Sequence, residues 1–172
     1  MVFETCFFAP LGLRHTWLIG YPPHGLAQSD RPADIFRGNL NITRTRYNEA
    51  YWAEGGIIST ADEMIVFLKS LNEGKLIRPE TLRMMHDWRK MKYGQYGFGT
   101  MYFGPQSPVM AVAGLSPLWG HQGSTGSFLY YSEDLDLYMA GTIDLIDCYA
   151  KTFALISEVM RAVQVDERGR VD

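Results

Sequence analysis

Two apolar runs near the C-terminus constrain this chain more than any other feature. Ser127-Phe128-Leu129-Tyr130-Tyr131 and Leu135-Asp136-Leu137-Tyr138-Met139-Ala140-Gly141-Thr142-Ile143 are separated only by the polar Ser132-Glu133-Asp134. Two strand-forming runs joined by so short a link pair as an antiparallel hairpin. A third strand is expected at 117–122. A fourth is expected over 96–103, where aromatic and small residues alternate up to Gly104-Pro105.

Helical patterns flank these strands. Ser59-Thr60-Ala61-Asp62-Glu63 reads as a capping box, with Thr60 accepting from the Glu63 amide and the Glu63 carboxylate reaching back. Ala61, Met64, Ile65, Leu68 and Leu71 then recur at helical spacing, and Gly74 supplies the stop. Pro79 suits the first position of a second helix, with Leu82, Met85 and Trp88 on its buried side. A closing helix from near Asp147 is expected to bury Tyr149, Phe153, Ile156, Met160 and Val163 and to expose Lys151, Glu158 and Arg161. The tail from Asp166 is polar and expected to fray. Residues 10–56, with Pro22-Pro23 and Gly38-Asn39, read as irregular connection with short helical turns.

The fold class is therefore α+β: an antiparallel sheet of three to four strands flanked by helices. The 172 residues fit one domain, loop-rich and helical over 1–95, then strands and a C-terminal helix over 96–165. Apolar residues at 47% and charged residues at 20% supply a core. A formal net charge of -3 lacks the basic footprint of a nucleic-acid binder. No apolar run is long enough to span a membrane. Met1-Val2-Phe3-Glu4 has no signal-peptide pattern, so the chain as written reads as cytoplasmic. Cys6 and Cys148 are too few for a disulfide framework or zinc site and are expected to be reduced.

Three stretches carry the chemistry. They are Pro10-Leu11-Gly12-Leu13-Arg14-His15-Thr16, then Glu54-Gly55-Gly56-Ile57-Ile58-Ser59-Thr60-Ala61-Asp62, then Gly120-His121-Gln122-Gly123-Ser124-Thr125-Gly126-Ser127-Phe128. In this order and spacing they resemble the C-terminal part of the serine β-lactamase and penicillin-binding-protein-like family. The group of class C β-lactamases, D-amino-acid-acting peptidases and related esterases is the most similar, over roughly 8–163. The resemblance implies an incomplete β-lactamase/transpeptidase-like fold, in which His121-Gln122-Gly123 matches the His-x-Gly strand lining the catalytic cleft. His121 would then orient substrate and proton network, Gly123 would let substrate lie against the strand, and the Ser124 amide would be an oxyanion-hole donor.

The departures from the family pattern are as informative. The family nucleophile is the serine of Ser-x-x-Lys. No Ser or Thr here has a lysine three residues later, and no Tyr-x-Asn occurs. Ser70-Leu71-Asn72 has Ser-x-Asn spacing but ends an amphipathic helix, so it is read as structural. The resemblance thus implies half an enzyme, inactive alone, or a non-catalytic binding or assembly module built on the same scaffold. A self-contained triad using Ser124 or Thr125 with His121 lacks an Asp or Glu placed to orient the histidine.

The remaining candidates have simpler explanations. His15, His24 and His86 show no metal-ligand spacing, and neither metal nor cofactor is expected. Arg37, Arg44 and Arg46, interleaved with Tyr47, Tyr51 and Trp52, read as a solvated loop face over packed aromatics. Asp62 and Glu63 suit a helix N-terminus without any catalytic role. Met84, Met85, Met91 and Met101 read as core filler. The family places an N-terminal strand beside the last strand of this region. The expected partners are therefore a second copy or a complementary N-terminal chain at that exposed edge, with a small molecule in the cleft.

Overall fold

The computed structural model describes residues 2–22, 31–43 and 55–169. Among them, ten strands form β1 (Trp17–Leu18), β2 (Phe36–Arg37), β3 (Leu40–Asn41), β4 (Ile57–Ile58), β5 (Arg89–Lys90), β6 (Gln95–Tyr96), β7 (Met101–Phe103), β8 (Leu118–Gln122), β9 (Phe128–Ser132) and β10 (Leu137–Gly141). The helices are α1 (Ala9–Leu11), which continues a π-helical turn over Glu4–Phe8, α2 (Ala61–Asn72), α3 (Pro79–Met85), α4 (Pro108–Ala113) and α5 (Tyr149–Gly169). None of these helices is long and apolar enough to cross a membrane.

The α+β class stands, with one extended antiparallel sheet in the order β10-β9-β8-β7-β6-β5. Four of its strands run three to five residues, and the outer pair β5 and β6 adds two residues each. Successive side chains on a strand point to opposite faces, and both faces of this sheet are covered. Leu118, Tyr130, Met139 and Phe103 pack with Ile156 and Met160 of α5. Their chain neighbours Trp119, Tyr131, Tyr138 and Tyr102 pack on the other side with Leu68 of α2 and Leu82 of α3. The Tyr130-Tyr131 doublet is what a doubly buried strand requires: one ring for each layer.

Several boundaries differ from the sequence reading. The expected strand over 96–103 is a hairpin, because Gly97 donates to the Thr100 carbonyl at 2.9 Å and the Phe98 amide leaves the sheet for the Met85 carbonyl at 2.9 Å. The β9–β10 turn lies at 133–136 rather than 132–134. Ser132 still pairs with Leu137, and Asp136 takes a φ of +43° to donate to Glu133. The described part of the irregular 10–56 segment contains three two-residue strands, including the β2–β3 hairpin closed by Gly38-Asn39. Helix α4 was not foreseen, although Pro108 at its start and left-handed Gly114 at its end are the usual punctuation.

Side-chain placements differ as well. Tyr149 opens α5 half-exposed, and Thr152 is buried one turn on, since the helix begins two residues later than expected. Ala61 is exposed at the first turn of α2. Met84 and Met91 are exposed rather than core filler, Met84 because it is two residues, about 200° of helix, from the buried Leu82. Met85 and Met101 do pack against the two cores.

Candidate functional site

The second motif folds against the first through Glu63. Thr60 caps α2 by accepting from the Glu63 amide at 3.2 Å, which is half of the expected box. The other half is replaced. The Glu63 carboxylate accepts from the His15 amide at 2.9 and 3.1 Å and from the Thr16 hydroxyl. Thr16 also meets the Ser59 hydroxyl at 2.6 Å, and β1 pairs with β4 through Trp17–Ile58 and Leu18–Ile57. Both motifs therefore form a structural clasp, which accounts for their residue types without chemistry.

The third motif is different. β8 enters it through Gly120, where a Cβ would lie 2.0 Å from the Leu129 carbonyl oxygen and 2.8 Å from the Tyr130 Cα. β7 pairs with β8 from Phe103–Leu118 to Met101–Gly120 and no further, so β8 beyond that point has no β7 neighbour. His121 stands there, exposed. Its Nδ1 lies 2.9 Å from the Gln122 carbonyl oxygen, and its Nε2 lies 3.0 Å from the Tyr96 hydroxyl. A carbonyl can only accept, so Nδ1 carries a proton, and in the neutral ring Nε2 accepts from Tyr96. The Tyr96 ring meets the imidazole edge-on, with centroids 5.7 Å apart and planes at 83°. Neither ring nitrogen has a carboxylate partner among the described residues.

The next residues close a tight loop. Gly123 donates to the Ser127 carbonyl at 2.8 Å, and Gly126 donates back to Gly123 at 3.2 Å. A Cβ on Gly123 would lie 2.5 Å from the Ser127 hydroxyl oxygen, which would have to rotate away to admit it. Ser124, half-buried, accepts from the Asp147 amide at 3.2 Å through its carbonyl. Its own amide has no acceptor among the described residues. Gln122 Oε1 is buried without a partner among them. The loop therefore carries a free backbone donor three residues from an exposed histidine.

His121, Gly123 and Ser124 thus stand together at one end of β8, and the structure adds Tyr96 to them. No spacing in the sequence pointed to Tyr96, which reaches His121 from two strands away. Among the described residues, none of the other sequence candidates bonds to His121. His15 contributes only its backbone amide to the clasp, and Arg37 is exposed with its guanidinium 3.9 Å from Asp147. His86 is stacked in an aromatic layer beside Trp88. Cys6 and Cys148 are both free thiols, and buried Cys148 donates to the Leu145 carbonyl. His24, Arg44, Arg46, Tyr47, Tyr51, Trp52 and Glu54 lie outside the described residues. Within them, no three His, Cys, Asp or Glu side chains are grouped to hold a metal.

Comparison with known proteins gives the context. No curated protein matches the chain by sequence. The structure is similar to that of D-amino acid amidase from Ochrobactrum anthropi SV3 complexed with L-phenylalanine, with a TM-score of 0.76 and 18% identity, covering 95% of this chain and 50% of that one. It is also similar to a D-stereospecific amidohydrolase from Streptomyces sp., at 0.63 and 23% identity over 87% of this chain and 45% of that one. A penicillin binding protein from Bacillus halodurans gives 0.63 and 12% over 91% and 48%. At these identities the likeness is one of fold, and the chain spans about half the length of each neighbour. The family model described as Beta-lactamase matches residues 2–143. Matched over most of its length by that model and sharing the fold of those neighbours, the chain belongs to the serine β-lactamase and penicillin-binding-protein-like family.

Proposed function

We propose that this chain supplies one wall of a serine-hydrolase cleft, for β-lactam, D-peptide or ester substrates, and is inactive by itself. The observation that carries the reading is the Ser124 amide, unpartnered among the described residues, in the tight loop beside exposed His121. The peptide that carries this amide is held through the Gly123 carbonyl, which accepts from Gly126 at 3.2 Å. One such donor lowers the barrier to acyl transfer by roughly 3 kcal/mol, because it meets charge that develops only in the transition state. His121, held by Tyr96 and the Gln122 carbonyl, serves to anchor substrate and to take part in its proton network. The acylating serine and its lysine must come from elsewhere, since no Ser-x-x-Lys occurs in these 172 residues.

The outer edge of β10 supports the partner half of this reading. β10 pairs only with β9 among the described residues, so one row of its backbone groups is free to bond another strand. A complementary chain bearing the nucleophile, or a second copy, would add there. The same free edge favours the second reading, a non-catalytic binding or assembly module that uses the cleft or the edge to hold a ligand or partner.

The test is turnover of nitrocefin and nitrophenyl esters by the purified chain, alone and with a chain carrying Ser-x-x-Lys and Tyr-x-Asn. The expected result is no turnover alone and gain of turnover, lost in His121→Ala, on mixing. Turnover by the chain alone, or stoichiometric labelling of one of its own serines by a fluorophosphonate, overturns it.

A further inference from the structure

Arg89, Lys90 and Lys92 are the only charged residues between Asp87 and Glu133, the run of chain that supplies β5 to β9. The whole chain has a formal charge of -3, so a stretch with three cations and no acid stands apart from the rest. All three are exposed, and they lie on or just beyond β5, the outermost strand of the six-stranded sheet. Arg89 is paired with Asp87 at 2.6 Å, whereas Lys90 and Lys92 have no carboxylate partner among the described residues. Lys92 Nζ instead lies 5.0 Å from the centre of the Tyr93 ring.

The β5–β6 turn is closed by the Met91 amide donating to the Gly94 carbonyl at 2.8 Å, which leaves Lys92 and Tyr93 at the tip. It is also tied down from behind. The Ser107 hydroxyl donates to the Tyr93 carbonyl at 3.0 Å, and a Cβ on Gly94 would lie 2.8 Å from the Tyr102 carbonyl oxygen. The apolar side chains of the turn are nevertheless left outside, Tyr93 59% exposed and Met91 48%. A turn held in place by its backbone loses little freedom when its side chains become covered. Cations interleaved with exposed apolar groups over 89–93 are complemented by negative charge and an apolar phase together. Single-stranded nucleic acid would stack on Tyr93 but offers Met91 no apolar phase. The headgroup layer of an anionic bilayer answers both, and tyrosine is enriched at that level.

We propose that the tip of the β5–β6 hairpin docks the chain peripherally on an anionic phospholipid surface, with Met91 and Tyr93 in the headgroup layer and Arg89, Lys90 and Lys92 over its phosphates. Each cation near such a surface strengthens binding about fivefold. At about 0.15 M salt, attraction and repulsion reach only about 8 Å, so the acidic remainder of the chain opposes docking little. The proposal makes no use of the His121 loop and its test reads no hydrolysis, so it stands or falls independently of the hydrolase reading.

The experiment measures co-sedimentation of the full chain with vesicles of phosphatidylcholine alone and of phosphatidylcholine with phosphatidylglycerol, at about 0.15 M salt. The chain should partition onto the phosphatidylglycerol vesicles and stay in solution with phosphatidylcholine alone. Lys90→Gln with Lys92→Gln, both fully exposed positions that the fold does not need, should weaken partitioning about thirtyfold. Tyr93→Ser should weaken it about fivefold through lost apolar burial. Two controls keep the test specific to the tip. Lys151→Gln with Arg161→Gln removes the same charge from exposed positions on α5, and Phe98→Ser removes a ring that is 67% exposed beyond the other end of β6. Both should bind as the unaltered chain does. Failure to sediment with phosphatidylglycerol, equal binding to both vesicles, or binding that survives the lysine pair or Tyr93→Ser overturns the proposal. So does equal loss in either control, or displacement from the vesicles by oligo-dT, which would mark the tip as a nucleic-acid site.

Discussion

The Tyr96 hydroxyl lies 3.0 Å from His121 Nε2, joining residues 25 positions apart at the point where β7 has ended and β8 continues. The imidazole is pinned at both nitrogens, by a hydroxyl on one side and the Gln122 carbonyl on the other. Pinning sets which nitrogen faces the cleft. In Tyr96→Phe the Nδ1–H bond to Gln122 remains and the Nε2 bond is lost. Nitrogen-detected NMR should report a proton on Nδ1 in both proteins, with the Nε2 resonance displaced only in the variant. An unchanged Nε2 resonance would mean that the pair does not form in solution. The loss in stability should be small, about 0.5–1.5 kcal/mol, as for one partly exposed hydrogen bond.

Gly120 is required for space and for its φ of +154°, which L side chains rarely adopt. A Cβ there would approach the Leu129 carbonyl to 2.0 Å, and backbone rather than a side-chain tip would have to move. Gly120→Ala should cost about 3 kcal/mol or more in urea unfolding, in the range of core overpacking. Gly38→Ala is the control, since a Cβ there meets nothing within 4 Å and the only penalty is its φ of +60°. That variant should lose about 1 kcal/mol. Equal losses would show that neither the crowding at β8 nor the φ of +154° adds to the ordinary cost of a left-handed glycine.

Glu63 ties α2 to the first motif. Its carboxylate accepts from the His15 amide and the Thr16 hydroxyl, both contributed from 47–48 residues away. Glu63→Ala should destabilise by about 1–3 kcal/mol, the range for hydrogen bonds to a charged group. A double-mutant cycle with Thr16→Val should give a coupling of at least about 0.5 kcal/mol. Additive losses in chemical denaturation would remove the clasp from the account.

His86 makes stability fall on acidification. Burial lowers its folded-state pKa below the ordinary 6.5, while the unfolded chain keeps the ordinary value. Below 6.5 the unfolded state therefore binds the extra proton first, and folding stability drops as pH falls from 6.5 towards the lowered value. Above 6.5 this contribution is flat. His86→Phe should remove that part of the slope in unfolding measured between pH 7 and pH 5, while an unchanged slope would assign it to other groups.

Much of the fold is legible because it is written in short periods. The β9–β10 hairpin, the Thr60 cap, the Pro79 helix start and the Ile156–Met160 face of α5 each depend on residues within a turn or two of one another. Local sterics and alternation decide such features. The Tyr96 strand was misread for the opposite reason. Its alternation continues through Gly97-Phe98-Gly99, yet the Phe98 amide bonds to Met85 on another element, and only packing reveals that competitor. Glu63 is a similar case: its expected partner was its own cap, and the Thr16 segment displaced it.

By itself, the sequence determined the α+β class, the glycine-bounded His121–Ser124 segment and the absence of a Ser-x-x-Lys nucleophile from this chain. Tertiary structure alone decided that Tyr96 holds His121, that the Ser124 amide has no partner among the described residues and that rings from the α3–β5 link, β7, β8 and β9 gather around His86. The physical reason is range. A strand or cap is settled by neighbours within a few residues, whereas a site is settled by which distant backbones the sheet brings to the same edge.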